Sequence, residues 1–388
     1  MMRVGLLIYG SLETISGGYL YDRQLAAHLR EQGDEVEVIS LPWRNYASHL
    51  LDNFSTRLRR QLCALSLDVL IQDELNHPSL VWMNRRLWGA PGANSSPRPF
   101  PLASIIHHLR SSEVHPPVLS SLYRWVERQY LASLDGFIFN SRTTRQEVER
   151  LMHGAPLRSP GIVAVPAGDR LGAGLEENDI LHRTTHTDEL RFVFLGNVIP
   201  RKGLHTLLDA MEILLHRQPD CKWRLEVIGE TGVDRGYARR IRQRLASSSL
   251  RSRVMFSGRL DAEELASHLK ANHVLVVPSQ YEGFGIAYLE GMGFGLPAIA
   301  STGGGATEII TDGVDGFLIP PENPQALADR LQLLACADPG RRRLMAMRLA
   351  ARQRYLAHPR WSDTMAKIRA FLIELCELFH RQRFHSRA

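Results

Sequence analysis

Little in these 388 residues can serve as a cross-link or a metal cage. The four cysteines, Cys63, Cys221, Cys336 and Cys376, are far apart and form no paired-spacing motif. That excludes a disulfide framework and a cysteine-rich zinc site, and it fits a reducing compartment. No apolar run approaches the roughly 18 residues needed to span a bilayer. The run VGLLIYG after Met-Met-Arg is too short for a signal-peptide core with its cleavage site, and it reads as a first buried strand. The expected location is therefore cytoplasmic. Neither a G-x-G-x-x-G fingerprint nor a Walker A sequence occurs. Zinc-finger spacing and aromatic RNA-binding signatures are also missing, so the net charge of +6 is not expected to serve nucleic acid. The remaining roles for that charge are a nucleotide diphosphate, an anionic membrane surface, or an ordinary arginine-rich solvated face.

What is present reads as an ordinary globular α/β protein, 44% hydrophobic and 23% charged. Its length is more than one core usually serves, so two domains are expected. Short β-rich runs alternate with amphipathic stretches. In the first half they lie at 3–9, 35–40, 68–72, 102–107, 136–140 and 161–165. In the second they lie at 190–196, 224–229, 253–258, 273–279, 297–301 and 316–320. Alternation of this kind predicts parallel βα units, and the nearly continuous apolar character of the runs suits strands covered on both faces. The stretch GDRLGAGLEENDILHRTTHTDE is polar and without period, and reads as a linker. The expected divisions are a first α/β domain over 1–168, a linker over 169–189, a second α/β domain over 190–360, and a terminal helix and tail over 361–388.

Ten of the 30 glycines fall between Gly283 and Gly316. Glycine is favoured where backbone must turn sharply or approach a ligand closely. Two carboxylates, Glu282 and Glu290, stand in the same region, within YEGFGIAYLEGM. A strand ending at Pro278, a loop and then a helix put the first-turn N–H groups of that helix at the sheet edge, where they form an anion site. Were both glutamates helical, they would lie about 12 Å apart along the axis. That reach fits two ends of one elongated ligand better than a paired-acid site. Carboxylates accept hydrogen bonds from hydroxyl pairs such as those of sugars and riboses. An anion between two hydroxylated rings is a nucleotide sugar. A bland reading also stands for Glu282, that of a helix-dipole partner; Glu290, set among apolar residues, needs hydrogen-bond partners wherever it is buried.

Three further segments belong to the same edge, since open parallel sheets bind ligands beyond the carboxyl ends of their strands. In FLGNVIPRKG, Arg201 and Lys202 open a helix against the dipole preference, an arrangement that a bound diphosphate would justify. A solvated basic pair is the alternative. Gly17 and Gly18 open the helix after the first strand. His107 and His108 end the fourth, and one of them is expected to reach the reacting sugar. The stretch 120–132, SSLYRWVERQYLA, reads as a packed helix in preference to a peripheral membrane contact.

Together these motifs resemble the retaining glycosyltransferases of family 4, which have the two-domain GT-B fold. The resemblance covers nearly the whole chain and is strongest over 190–320. It implies two Rossmann-like domains facing across a cleft, with a helix from Trp361 crossing back to the first domain. Glu282 and Glu290 match the family's E-x7-E motif, in which the first glutamate holds sugar hydroxyls and the second the ribose. The resemblance places the backbone of Gly283, Phe284 and Gly285 against sugar and phosphate, Lys202 on the diphosphate, Gly17-Gly18 as the N-terminal glycine loop, and His107 or His108 as the cleft histidine. It puts the nucleotide base near Gly229–Glu230 and Arg259–Leu260. The family's second phosphate cation is replaced here by Asn197, and Arg201 is the candidate substitute.

The implied reaction moves a sugar from a nucleotide-sugar donor to a glycan, lipid or small-molecule hydroxyl, with retention at the anomeric carbon. No D-x-D pair stands out, so neither an essential metal nor another cofactor is expected. Two rivals remain open: a nucleotide-sugar epimerase of the same fold, and a catalytically silent nucleotide-sugar binder.

Overall fold

A computed structural model describes residues 1–87, 98–113, 115–152, 157–185, 189–335 and 338–385. The chain divides into two compact units, Met1–Pro166 with Ser362–Ala388, and Ala167–Trp361. Each is built on a six-stranded sheet whose paired strands are all parallel.

In the first unit the strands are β1 (Arg3–Tyr9), β2 (Glu35–Leu41), β3 (Val69–Asp73), β4 (Leu102–Ile106), β5 (Gly136–Phe139) and β6 (Gly161–Val163). Their order is β2-β1-β3-β4-β5-β6. Every residue of β3 and β4 is buried, as expected of strands with both faces covered. The chain winds outward from β1 to β2, then in the opposite sense from β3 to β6. The reversal leaves a crevice beyond the carboxyl ends of β1 and β3.

The helix Trp361–His385 belongs to this unit although the second unit precedes it in the chain. Lys367 Nζ donates to Val163 O at 2.8 Å, and Arg369 forks onto Asp34 at 2.7 and 3.2 Å. Gly136 makes room for the helix, since a Cβ there would lie 2.7 Å from Leu375 Cδ2.

In the second unit the strands are β7 (Leu190–Leu195), β8 (Trp223–Ile228), β9 (Val254–Gly258), β10 (Val274–Val277), β11 (Ala298–Ser301) and β12 (Gly316–Ile319). Their order, β12-β11-β10-β7-β8-β9, places the reversal between β7 and β10. All twelve apolar runs are strands, with ends shifted by a residue or two. Within the linker-like stretch, Asp169–Leu171 is a 3-10 turn and Glu177–Thr185 a helix, both in the second unit; residues 186–188 lie outside the described residues, as does Cys336.

The helix Pro117–Leu131 buries Tyr123, Val126, Tyr130 and Leu131, as a packed helix should, but leaves Val118, Leu122 and Trp125 exposed. Among the described residues, no helix is long and apolar enough to cross a membrane.

Close backbone approaches hold the carboxyl edge of the second sheet together. Gly203 has φ of 72°, and a Cβ there would lie 2.1 Å from Pro278 O. Gly313 has a similar φ of 78° but nothing within 4 Å of its Cβ position. Gly313→Ala should therefore cost only the left-handed backbone term, about 1 kcal/mol. Gly203→Ala should add an overpacking cost of roughly 1–3 kcal/mol. Paired thermal-unfolding midpoints check this, and equal losses in the two variants would contradict it.

Candidate functional site

Each unit places a charged group at the reversal point of its sheet. In the second unit β7 ends at Leu195 and leads through Gly196 and Asn197 to a 3-10 turn, Pro200–Lys202. Gly203, left-handed, then caps the helix Leu204–Arg217. On the neighbouring strand β10 ends at Val277, and the loop after it carries Glu282. Lys202 Nζ donates to Glu282 Oε1, Ser279 Oγ donates to the same oxygen at 2.6 Å, and Arg201 Nη1 stands 3.9 Å from Oε2. Arg201 Nη1 also donates to Tyr281 O at 2.7 Å.

The Glu282 backbone is fixed as well. Its N–H donates to Gly303 O at 2.9 Å, and its carbonyl accepts from Gly305 N at 2.8 Å. A Cβ on Gly304 would lie 1.9 Å from that carbonyl, so part of the glycine run serves this packing.

Burial by itself would raise the Glu282 carboxyl. Lys202 and Arg201, with the hydrogen bonds from Lys202 and Ser279, outweigh it and hold the group down at about 2. Burial lowers the Lys202 ammonium, against the pull of Glu282. Glu282 is thus an ionised, acceptor-only carboxylate at any ordinary pH.

Glu290 sits in the fifth position of the helix Ile286–Gly293, while Glu282 lies outside it, so the two are not on one helix. Glu290 is 3% exposed and receives Arg170 Nε from the Asp169–Leu171 turn. Burial pushes its carboxyl up, and Arg170 opposes that. A cavity of about 390 Å³ opens beside the same turn, lined by Gly168, Asp169, Tyr355, His358 and Arg360 among others. Arg170 was not among the residues expected from the sequence, because its surroundings have no periodicity.

The other expected residues of this unit distribute as follows. Gly283 and Gly285 are half-buried in the loop, Gly285 with φ of 105°; the Phe284 side chain is buried, its ring 5.9 Å from that of His358. Gly229 follows β8, with its Cβ position 1.9 Å from Gly196 O. Glu230 accepts from Gly232 N at 2.6 Å. Exposed Arg259 and half-buried Leu260 follow β9, two strands away from β7. Asn197 is half-buried beside Gly196.

In the first unit, His107 follows β4 and lies against Gly18, in the first turn of a helix; a Cβ on Gly18 would meet His107 Cδ2 at 3.2 Å. The helix Gly17–Glu31 is capped by Ser16 and carries Asp22 on the same stripe as Leu25, Ala26 and Leu29. His107 Nε2 is 3.6 Å from Asp22 Oδ1, too long for a good hydrogen bond. Asp22, Asp73 and His107 each offer an atom within 4.8 Å of the others. Both Asp22 oxygens, Asp73 Oδ2 and His107 Nε2 are buried without a hydrogen-bond partner. Glu74 Oε2 accepts from His107 N at 2.9 Å and His108 N at 3.4 Å.

This cluster is where a cation or a proton is required. Burial alone would depress His107, but Asp22, Asp73 and Glu74 raise it to about 9. Asp73, desolvated and beside Asp22, is raised to about 7. His108 behaves differently: it is half-buried, with Nε2 3.2 Å from Glu113 Oε1. Asp22 was findable in the sequence as a carboxylate on an apolar helix stripe, and Asp73-Glu74 as an acidic pair at the end of a buried strand.

Residues 177–353 match the family described as Glycosyl transferases group 1. The chain is 36% identical over 141 residues to an uncharacterized glycosyltransferase of Methanocaldococcus jannaschii, 36% of this chain and 34% of that protein. It is 26% identical over 254 residues to the alpha-D-kanosaminyltransferase of Streptomyces kanamyceticus, 63% of this chain and 64% of that one. Against the D-inositol 3-phosphate glycosyltransferase of Corynebacterium urealyticum it is 27% identical over 365 residues, 89% of this chain and 82% of that one. The chain thus spans about a third of the first relative and just under two thirds of the second.

Among solved structures, sucrose-phosphate synthase from Thermosynechococcus elongatus superposes with a TM-score of 0.75 at 21% identity, covering all of both chains. Anabaena HepE in complex with UDP-glucose does so at 0.73 and 17% identity, covering 96% of this chain and all of that one. They share the fold.

The charge on His107 gives a pH prediction. A histidine whose folded value, about 9, exceeds its ordinary 6.5 adds stability below about pH 6.5 and loses it as pH rises through 9. Asp73, raised to about 7, acts in the same direction over the lower part of that window. The unfolding free energy should fall between pH 6.5 and 9.5 by an amount on the order of 2 kcal/mol, read as a lower thermal midpoint, and by less in His107→Gln. A midpoint independent of pH in both proteins would contradict the charged cluster.

Residues 177–353 therefore match the glycosyl transferases group 1 family, in a chain with the GT-B fold of two Rossmann-like units.

Proposed function

We propose that the chain is a retaining glycosyltransferase that moves a sugar from a nucleotide sugar to an acceptor hydroxyl without an essential metal. The observation carrying this reading is the Lys202–Glu282 pair at the reversal point of the second sheet, inside the matched domain. An ammonium and a carboxylate that neutralise each other are also the two groups a sugar diphosphate needs. Phosphate oxygens draw the ammonium, and sugar hydroxyls donate to the carboxylate. A carboxyl held at about 2 cannot be a proton donor, which leaves Glu282 the role of hydroxyl acceptor. The names of the relatives, and UDP-glucose bound to a protein of the same fold, support the donor class.

In the reaction the bond from the anomeric carbon to the diphosphate oxygen breaks, and the bond to the acceptor oxygen forms on the same face. The acceptor proton passes to the departing phosphate oxygen. Lys202, Arg201 and the first-turn amides of the Ile286–Gly293 helix stabilise the charge that grows there. Glu290 takes the ribose hydroxyls, with Arg170 orienting its carboxylate.

Glu282→Ala should lower kcat by roughly 10–100-fold, the loss of hydrogen bonds to a charged group. Glu290→Ala should mainly raise the nucleotide Kd, by about tenfold, while Glu290→Gln, which retains an acceptor for Arg170, should lose less. Steady-state kinetics and calorimetry check these, and unchanged values in folded Ala variants would overturn the assignment. A panel of UDP-, GDP- and ADP-sugars in thermal-shift assays identifies the donor. Turnover should survive a chelator, and product formed from donor alone would point to epimerisation instead.

A further inference from the structure

The first unit carries a surface that the sugar-transfer reading does not use. Phe54 is 62% exposed and Trp125 46%. Half-buried Trp82 links them, its ring 5.9 Å from Phe54 and 6.0 Å from Trp125. Val118 and Leu122, at 80% and 40% exposure, extend the row along the Pro117–Leu131 helix at i, i+4, i+7 spacing with Trp125. One helix therefore has two apolar faces, one packed on the core and one open. A continuous open aromatic-aliphatic row of this kind marks an interaction surface.

The charges around the row have one sign. Arg57, Arg59, Arg60, Arg85, Arg86 and Arg124 are exposed on the segments 41–63, 77–87 and 115–131. The only carboxylates of those segments, Asp52 and Glu127, are buried, and Asp52 is paired with Arg44. Arg86 lies over the Phe54 ring at 5.5 Å and donates to Asn53 O at 3.1 Å, and Arg85 donates to Gln129 O at 3.4 Å on the neighbouring helix. Cations are thus held at the rim of the apolar row.

We propose that this face docks on a bilayer rich in anionic lipid. Tryptophan and phenylalanine enter the headgroup–acyl boundary, and the arginines meet lipid phosphates. A second copy of the chain is a poor occupant, because a two-fold contact would set one group of arginines against its twin with no carboxylate between them. The surface stands independently of the donor site, so its test needs no substrate.

The full chain is sedimented with vesicles of phosphatidylcholine alone and of phosphatidylcholine with 40% phosphatidylglycerol (about physiological charge density). At least tenfold tighter binding to the anionic vesicles is expected, weakened at high salt, with a blue shift of tryptophan emission that is smaller in Trp125→Phe. Leu122→Glu with Trp125→Glu should lose vesicle binding tenfold or more, and Arg57→Glu with Arg60→Glu should lose the preference for anionic lipid. Both double variants alter exposed positions and should retain the wild-type thermal midpoint and nucleotide-induced shift. Absence of vesicle binding, equal binding to both vesicle types, or binding unaffected in variants that stay folded would overturn the proposal. So would concentration-dependent dimerisation in ultracentrifugation that Leu122→Glu/Trp125→Glu abolishes while vesicles remain unbound.

Discussion

Glu282 is buried and Lys202 half-buried, and each is charged there because it meets the other. Removing Glu282 would leave Lys202 without its carboxylate, and removing Lys202 would leave Glu282 only the more distant Arg201, each a cost larger than the net worth of the pair. The geometry of the second sheet edge serves that meeting. The strand order brings the ends of β7 and β10 side by side, one carrying the cation and the other the carboxylate. Backbone carbonyls at Gly196, Pro278, Gln280 and Glu282 occupy the space where side chains would start on Gly229, Gly203, Gly303 and Gly304. The glycine richness of the region is therefore partly a packing requirement of the chain itself and only partly a ligand's.

The first sheet reaches a different electrostatic solution at its own reversal point. Asp22, Asp73 and Glu74 surround one imidazole, so anions outnumber cations and protons must be retained. An imidazolium held this firmly donates hydrogen bonds and does not accept a proton near neutrality. In the second unit the anion is the firmly ionised member; in the first it is the cation. The two edges thus differ in hydrogen-bonding character: the carboxylate of one accepts, and the imidazolium of the other donates.

How much of this was legible follows from what each element uses as its signal. Buried parallel strands are continuous apolar runs, and all twelve stood out for that reason. Their ends did not, because β10 stops pairing at Val277 while apolar character and proline continue past it. Glu282, Glu290, Arg201 and Lys202 were visible as charges in places where charge is costly. Arg170 was not, since a short turn has no period to break. Asp22 stood out only as a carboxylate on a helix stripe shared with leucines, and the fold alone shows that the stripe meets His107 there. The outward row of Val118, Leu122 and Trp125 was equally hidden: the Pro117–Leu131 helix is apolar on two sides, and sequence spacing does not say which one the core takes.

The Trp361–His385 helix has a consequence for biogenesis. During translation residues 1–360, more than nine-tenths of the 388, precede the segment that packs against Gly136 and forks onto Asp34. The opening sheet must wait on the ribosome with that flank uncovered while the later unit, whose residues are consecutive, can close at once. Order of synthesis and order of completion are thus inverted in this molecule: the sheet begun first is the one completed last.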